Sequence, residues 1–278
     1  MNTLYNEMKS ELKNILTFWS DNDIDNENGG FYGCIKNDLS IEKNHIKSGV
    51  LTTRILWTFS RAYSILKDNK YLTLAKRAYD YLVDYFLDKE YGGIYTALNY
   101  DGSINNSEKQ VYYQAFTIYA LSEYYVASSD ENALNLALKL FDMLETICKD
   151  SQKGGYFNAY SREWNNLDDT SLSEKDMNCD KIMNTCLHIL EAYTNLYRVS
   201  HSEKVKKSLK DILLINLDKI MDSNSYKFNL YFDKDWTPLS AVNSFGHDIE
   251  GSWLICEAAE LLDDKELKDR VFSTAVKM

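Results

Sequence analysis

One phrase recurs three times along the chain: an aspartate, three residues, two glycines and then two bulky side chains. It appears as Asp25 to Gly29-Gly30-Phe31-Tyr32, as Asp88 to Gly92-Gly93-Ile94-Tyr95 and as Asp150 to Gly154-Gly155-Tyr156-Phe157, with starts 63 and then 62 residues apart. A period of that length is too long for a single helix or strand and suits one supersecondary unit per copy. Amphipathic helical stretches lie between the copies, so each unit reads as a helix pair punctuated by a glycine turn. Stacked in order, such pairs predict an all-α ring of helical hairpins, an α/α toroid. Its loop-bearing end is where a small molecule is expected to meet the protein.

The remaining sequence agrees with one large helical body. Residues 1–278 show no linker, low-complexity segment or charge block, and are expected to form a single domain. The single proline, Pro238, leaves long helices uninterrupted. A formal charge of −11 argues against nucleic acid as a partner, because phosphates would be repelled. No apolar run is long enough to span a bilayer, so no membrane partner is expected. Five scattered cysteines, Cys34, Cys148, Cys179, Cys186 and Cys256, fit reduced thiols and a cytoplasmic location better than a disulfide framework. Cys179, Cys186 and His188 have no zinc-type spacing, and no metal is expected from them.

Helical periodicity is readable near 4–19, 46–67, 70–88, 108–128, 130–149, 180–200, 203–221 and 247–263, with a ninth stretch from 265 onward. The stretch at 180–200 carries a polar stripe at Asn184, His188, Glu191 and Asn195, spaced by four, three and four, so these share a face. The stretch from 247 repeats the idea with His247, Glu250 and Glu257. Lys47, Arg54, Gln110 and Gln114 are expected at comparable places in the earlier repeats. Polar groups early in apolar helices, each following a long loop, would converge at one end of a ring. Singly, each has a plainer role: a satisfied core histidine, a first-turn residue beside Asp248, a structural ion pair. His45 and His201, flanked by polar residues, are assigned to the surface.

Four segments go further. Arg54-Ile55-Leu56-Trp57-Thr58-Phe59-Ser60, Gln114-Ala115-Phe116 with Leu121-Ser122-Glu123-Tyr124-Tyr125, Met183-Asn184-Thr185 through His188-Ile189-Leu190-Glu191, and Gly246-His247-Asp248-Ile249-Glu250 with Ser252-Trp253-Leu254 resemble cellobiose 2-epimerases. Those belong to the wider N-acylglucosamine 2-epimerase superfamily, and the likeness runs through the whole chain in order. It implies an (α/α)6 barrel and cofactor-free epimerisation at C2 of the reducing-end glucose of a β-1,4-disaccharide, cellobiose foremost and lactose as well. It also implies roles. His247 would be a general acid/base at C2, His188 a helper in proton traffic and Arg54 a stabiliser of charge on substrate oxygens. Tyr112, Asn184, Asp176 and Glu250 would hydrogen-bond the sugar or orient the bases.

The resemblance also marks a departure. The family's remaining acid/base histidine comes from a C-terminal portion, whereas His247 is the last histidine here. Roughly four and a half hairpins are read where a closed ring needs six, with the chain stopping inside an amphipathic stretch. The expectation is a truncated ring with little activity alone, completed by a separate C-terminal fragment. Alternatives are an N-acylglucosamine 2-epimerase or mannose isomerase. Of another class are an (α/α)-barrel glycoside hydrolase using carboxylates such as Asp176 and Glu250, or a non-catalytic sugar-binding remnant.

Overall fold

The computed structural model describes residues 2–173 and 175–278. Helix α1 (Asn2–Asn22) leads through the first glycine loop to a short strand β1 (Lys47–Ser48) and helix α2 (Gly49–Leu66). Helix α3 (Asn69–Tyr81) runs back, and a loop with strands β2 (Ala97–Leu98), β3 (Ile104–Asn106) and β4 (Lys109–Gln110) leads to α4 (Val111–Ser128). Helix α5 (Glu131–Met143), strands β5 (Ala159–Tyr160) and β6 (Lys181–Ile182), and α6 (Met183–Ser200) follow. Then come α7 (Glu203–Ile215), β7 (Tyr231–Phe232), α8 (Phe245–Leu262) and α9 (Lys265–Ala275). The sequence periodicity located all nine, within a few residues at most ends.

Two layers result. Helices α2, α4, α6 and α8 pack side by side as an inner curve, and α3, α5, α7 and α9 back them as return legs. The hydrophobic faces explain the split. Helix α4 is buried around most of its circumference, from Val111 to Tyr124, because α2, α6 and α5 all press on it. Helix α5 buries chiefly Ala133, Ala137, Leu140 and Phe141, a single stripe at helical spacing. Three buried hydroxyls of the inner helices are satisfied locally: Ser60, Ser122 and Thr194 each donate to the carbonyl four residues earlier. Four hairpins, α2/α3 to α8/α9, form this arc, in line with the toroid expected. At its two flanks lie exposed apolar side chains: Leu4, Tyr5, Met8 and Ile15 on α1, Phe245, Ile249 and Trp253 on α8.

Helices α3, α5 and α7 end alike. Each widens into a π turn (Leu82–Phe86, Leu144–Cys148, Asn216–Ile220), which releases the chain into an aspartate loop. In the loops, one carboxylate oxygen of Asp25, Asp88 or Asp150 accepts the backbone N–H groups two and three residues ahead. The other oxygen receives a buried lysine from the strand preceding the next inner helix: Lys47 at 2.7 Å, Lys109 at 3.0 Å and Lys181 at 2.7 Å. The second glycine of the pair fits beneath an aromatic ring. A Cβ on Gly155 would lie 2.4 Å from Trp236, and φ is +77° there, so both space and backbone demand glycine.

A fourth copy exists that its sequence conceals. Asp222 accepts from the N–H groups of Asn224 and Ser225, and Met221 bridges Phe228 as Leu87 bridges Ile94. Tyr226, not glycine, takes the left-handed conformation (φ +57°). Only the geometry identifies it, because both glycines and the lysine partner are replaced.

Candidate active site

The four inner helices share one length, eighteen residues, and one register. Their sixth residues are Arg54, Phe116, His188 and Glu250. Their ninth are Trp57, Tyr119, Glu191 and Trp253, and their thirteenth Arg61, Glu123, Asn195 and Glu257. All twelve line a single basin of ≈ 680 Å³, joined by Trp19 of α1 and Arg198 of α6. That volume lies in the range of small-molecule sites. Positions six, nine and thirteen fall on one helical face, so the basin is the inward stripe of each helix.

The sixth-position ring is held from behind by aromatic rings. The Arg54 guanidinium lies 4.5 Å from the Phe116 ring centre and donates to the Tyr112 hydroxyl at 3.1 Å. Phe116 and Tyr112 also flank the His188 imidazole, at 4.7 and 5.1 Å between ring centres. One aromatic wedge therefore orients both the cation and the base. His188 Nδ1 pairs with the Glu191 carboxylate at 2.8 Å, which leaves Nε2 as its free nitrogen. Burial pushes the Tyr112 phenol up despite the opposing Arg54 charge, so it stays neutral and its own proton remains available to donate.

Farther along the helices, an ionic lattice ties the arc together. Arg61 meets Glu123 at 3.4 Å, Asn195 donates to the Tyr119 carbonyl, and Arg198 bridges Asn195 and Glu257, each at 2.8 Å. Glu123, Glu191 and Glu257 are thus engaged with neighbouring side chains. Among the described residues, Glu250 has no hydrogen-bond partner.

The expected site residues separate into three groups. Arg54, His188 and Glu250 meet in the basin, with Glu191, Asn195 and Glu257 beside them. Tyr112 and Asn184 are second residues of α4 and α6, one turn nearer the loops on the same stripe, and the Asn184 side-chain oxygen is buried with no partner. His247 is the third residue of α8, half-buried, its Nδ1 2.8 Å from the Ser244 hydroxyl that caps the helix. It does not share the repeat position of Arg54 and His188, as expected from sequence, but lies one turn before Glu250 and is not among the side chains that line the basin. Asp176 belongs to a loop instead: it accepts from Ser173 at 2.7 Å and Tyr231 at 3.0 Å, away from the basin lining.

Two expectations need correcting. Lys47 is not a pocket group, because the buried Asp25 carboxylate captures it. Gln110 and Gln114 are spent on backbone: Gln110 donates to Ser171 O, and Gln114 both accepts from and donates to Ile94. His45 and His201 are exposed, as expected. Sequence reasoning passed over Trp19, Arg61, Tyr119 and Arg198 as site residues. Aligning the eighteen-residue helices by register would have revealed Arg61 and Tyr119, which hold the thirteenth and ninth positions.

A helical arc with an arginine, a histidine–glutamate pair and tryptophan platforms around a sugar-sized basin defines a carbohydrate-type site. The family model for N-acylglucosamine 2-epimerases matches residues 30–278. The cellobiose 2-epimerase of Bacteroides fragilis is 45% identical over 265 residues, covering 95% of this chain and 68% of that protein. That of Dictyoglomus turgidum is 38% identical over 268 residues, with 96% and 68% covered. The solved cellobiose 2-epimerase of Bacillus thermoamylovorans B4167 superposes with a TM-score of 0.94 at 38% identity, covering 100% of this chain and 72% of that one. The chain belongs to the N-acylglucosamine 2-epimerase family. Its helices follow the fold of the solved cellobiose 2-epimerase. No helix among the described residues is long and apolar enough to cross a membrane.

Proposed function

We propose that this chain is the catalytic body of a cofactor-free isomerase that epimerises C2 of the reducing-end glucose in cellobiose and related β-1,4-disaccharides such as lactose. The observation that carries the reading is the sixth-position ring, where Arg54, His188 and Glu250 face one basin from three helices. A C2 proton becomes removable once C1 is an open-chain aldehyde, and the ene-diolate formed needs fixed positive charge at its oxygens. Arg54, braced by Tyr112 and Phe116, supplies that charge. His188, oriented by Glu191, moves protons at the sugar oxygens, and His247, one turn before Glu250 on α8, takes or returns the proton at C2. Asn184 and Glu250 anchor hydroxyls, while Trp57 and Trp253 offer flat apolar faces to sugar rings. The hydrolase alternative needs a free carboxylate pair, yet three of the four basin glutamates, Glu123, Glu191 and Glu257, are engaged and Asp176 lies elsewhere.

The same reading gives residues 1–278 as one catalytic domain working in the cytoplasm, where its five unpaired cysteines stay reduced. Leu4 and Met8 on one flank and Ile249 on the other are exposed and suit cover by further helices of a closed ring.

The test is cellobiose turnover in D2O, for which glucosyl-mannose carrying deuterium at C2 is the expected product. Release of free glucose would instead support a hydrolase. Turnover of N-acetylglucosamine or mannose with cellobiose untouched would move the assignment within the family.

A further inference from the structure

Away from the basin, the hairpin between the first aspartate loop and β1 gathers three different ligand chemistries. The chain reverses at Asp38–Ser40: Lys36 N–H donates to Ser40 O at 2.9 Å, Leu39 takes φ +66°, and Ser40 N–H donates to the Asp38 carboxylate at 3.0 Å. Ile35 bridges Ile41, Glu42 N–H donates to Cys34 O at 3.1 Å, and His45 N–H to Glu42 O at 3.0 Å. These backbone bonds fix the positions of Cys34, Glu42 and His45. One ligand atom from each, a thiol sulfur, a carboxylate oxygen and a ring nitrogen, lies within 4.8 Å of the other two.

We propose that Cys34, Glu42 and His45 form a binding site for a zinc-class divalent cation, with water completing a tetrahedral shell. Sulfur, imidazole and carboxylate together are a donor set that zinc favours. A thiolate and a carboxylate neutralise the two charges of the ion, and imidazole adds none. The second shell fits as well. His45 Nδ1 is 3.0 Å from the Ile46 carbonyl, which can only accept, so that nitrogen carries the proton and Nε2 keeps its lone pair. A ring N–H donating to a backbone carbonyl is the usual support of a metal-bound histidine. Lys36, 3.5 Å from Glu42, is the competing cation, and it is single-charged and exposed.

Uptake exchanges one proton for the metal: the Cys34 S–H bond breaks, an S–metal bond forms and the proton leaves to solvent. Because the metal must displace that proton, binding weakens as pH falls. The site is structural. Trp19 and Leu51 line both the basin and the groove that Cys34 borders, so a closed hairpin would stiffen that wall.

Cobalt(II) tests this directly. The full chain, reduced and stripped by chelator, is titrated with Co²⁺ and followed by absorption, then challenged with Zn²⁺. One cobalt per chain is expected, with a thiolate-to-cobalt charge-transfer band, the strong visible bands of four-coordinate cobalt, and loss of both on adding zinc. Cys34→Ser should abolish the charge-transfer band. His45→Gln and Glu42→Gln should each weaken binding by about tenfold or more. The three residues lie on an exposed hairpin, and circular dichroism verifies that each variant folds. The proposal fails if no charge-transfer band appears at about tenfold excess cobalt, or if the band survives intact in Cys34→Ser, which would put the thiolate elsewhere.

Discussion

Charged groups occur in two regions of this molecule and obey different rules. At the loops, Asp25, Asp88 and Asp150 are buried, each with a lysine and two backbone N–H donors. Burial alone would raise these carboxyls, but the lysine and backbone hydrogen bonds, joined at Asp88 by the still stronger Arg162 contact, outweigh it and hold all three below the usual carboxylate range. In the basin, by contrast, Glu250 has no hydrogen-bond partner among the described residues and Arg54 rests on aromatic rings, while one turn nearer the loops the Asn184 oxygen is buried without a partner among them. Satisfied charge holds loops in place, whereas unsatisfied charge is available to a ligand. The fourth loop sharpens this comparison, since Asp222 keeps its backbone donors without a buried lysine.

The largest effect should come from breaking a clip. Lys181→Met strands the Asp150 carboxylate and also drops bonds to the Gly154 and Lys234 carbonyls. We expect a loss of about 3–5 kcal/mol in urea unfolding. Lys109→Met should be milder, because Arg162 also binds Asp88. Equal losses at the two sites would break the pairing argument.

Next comes the basin, where stability should hardly change but chemistry should. Arg54→Lys loses the planar contact with Phe116 and the bond to Tyr112. Deuterium incorporation from D2O into cellobiose should fall roughly 10²-fold, with an unfolding midpoint near that of the parent. A large drop in the midpoint would make Arg54 a structural residue like the clip lysines.

Asp23 gives a pH signature of opposite sign to the clips. It is buried, its Oδ2 has no partner, and burial raises its carboxyl to about 7 against the lowering influence of Lys47. The folded chain therefore binds the extra proton between about pH 4 and 7, and stability falls as pH rises through that window. The clip aspartates act below it, losing their contribution as pH drops past their depressed values. Asp23→Asn should flatten the slope between pH 4 and 7 and leave the acid limb unchanged. An unaltered slope would exclude Asp23 as its source.

The smallest effect is expected at Asp222→Ala, which removes the side-chain acceptor of two backbone N–H groups at an exposed turn and no buried charge. A loss of about 1 kcal/mol is expected from thermal unfolding. A loss as large as that at Lys181 would mean that the fourth loop is clipped by another route.

Much of the fold was legible because its signals are local. Apolar spacing marks the helices, and a glycine pair marks a turn that needs positive φ. The stripe of His188, Glu191 and Asn195 was equally readable, since a helical face follows from arithmetic. What failed was long-range. Lys47 and Arg54 look alike as cations at the start of one helix, yet a carboxylate from the preceding loop takes the first and leaves the second free. Asp176 and Glu250 are both acids near long loops, and only chain tracing sends one to a tyrosine and the other to the basin. The fourth aspartate loop was hidden because Tyr226 adopts a conformation its residue type rarely signals.

By itself, then, the sequence determined the helical hairpins, their order and the polar face of each inner helix, because those depend on neighbours three and four residues apart. Tertiary structure alone decided which charges are neutralised and which stay open. That choice depends on the distance between groups some twenty to seventy residues apart, such as Lys47 and Asp25 or Arg162 and Asp88, and no local pattern encodes it.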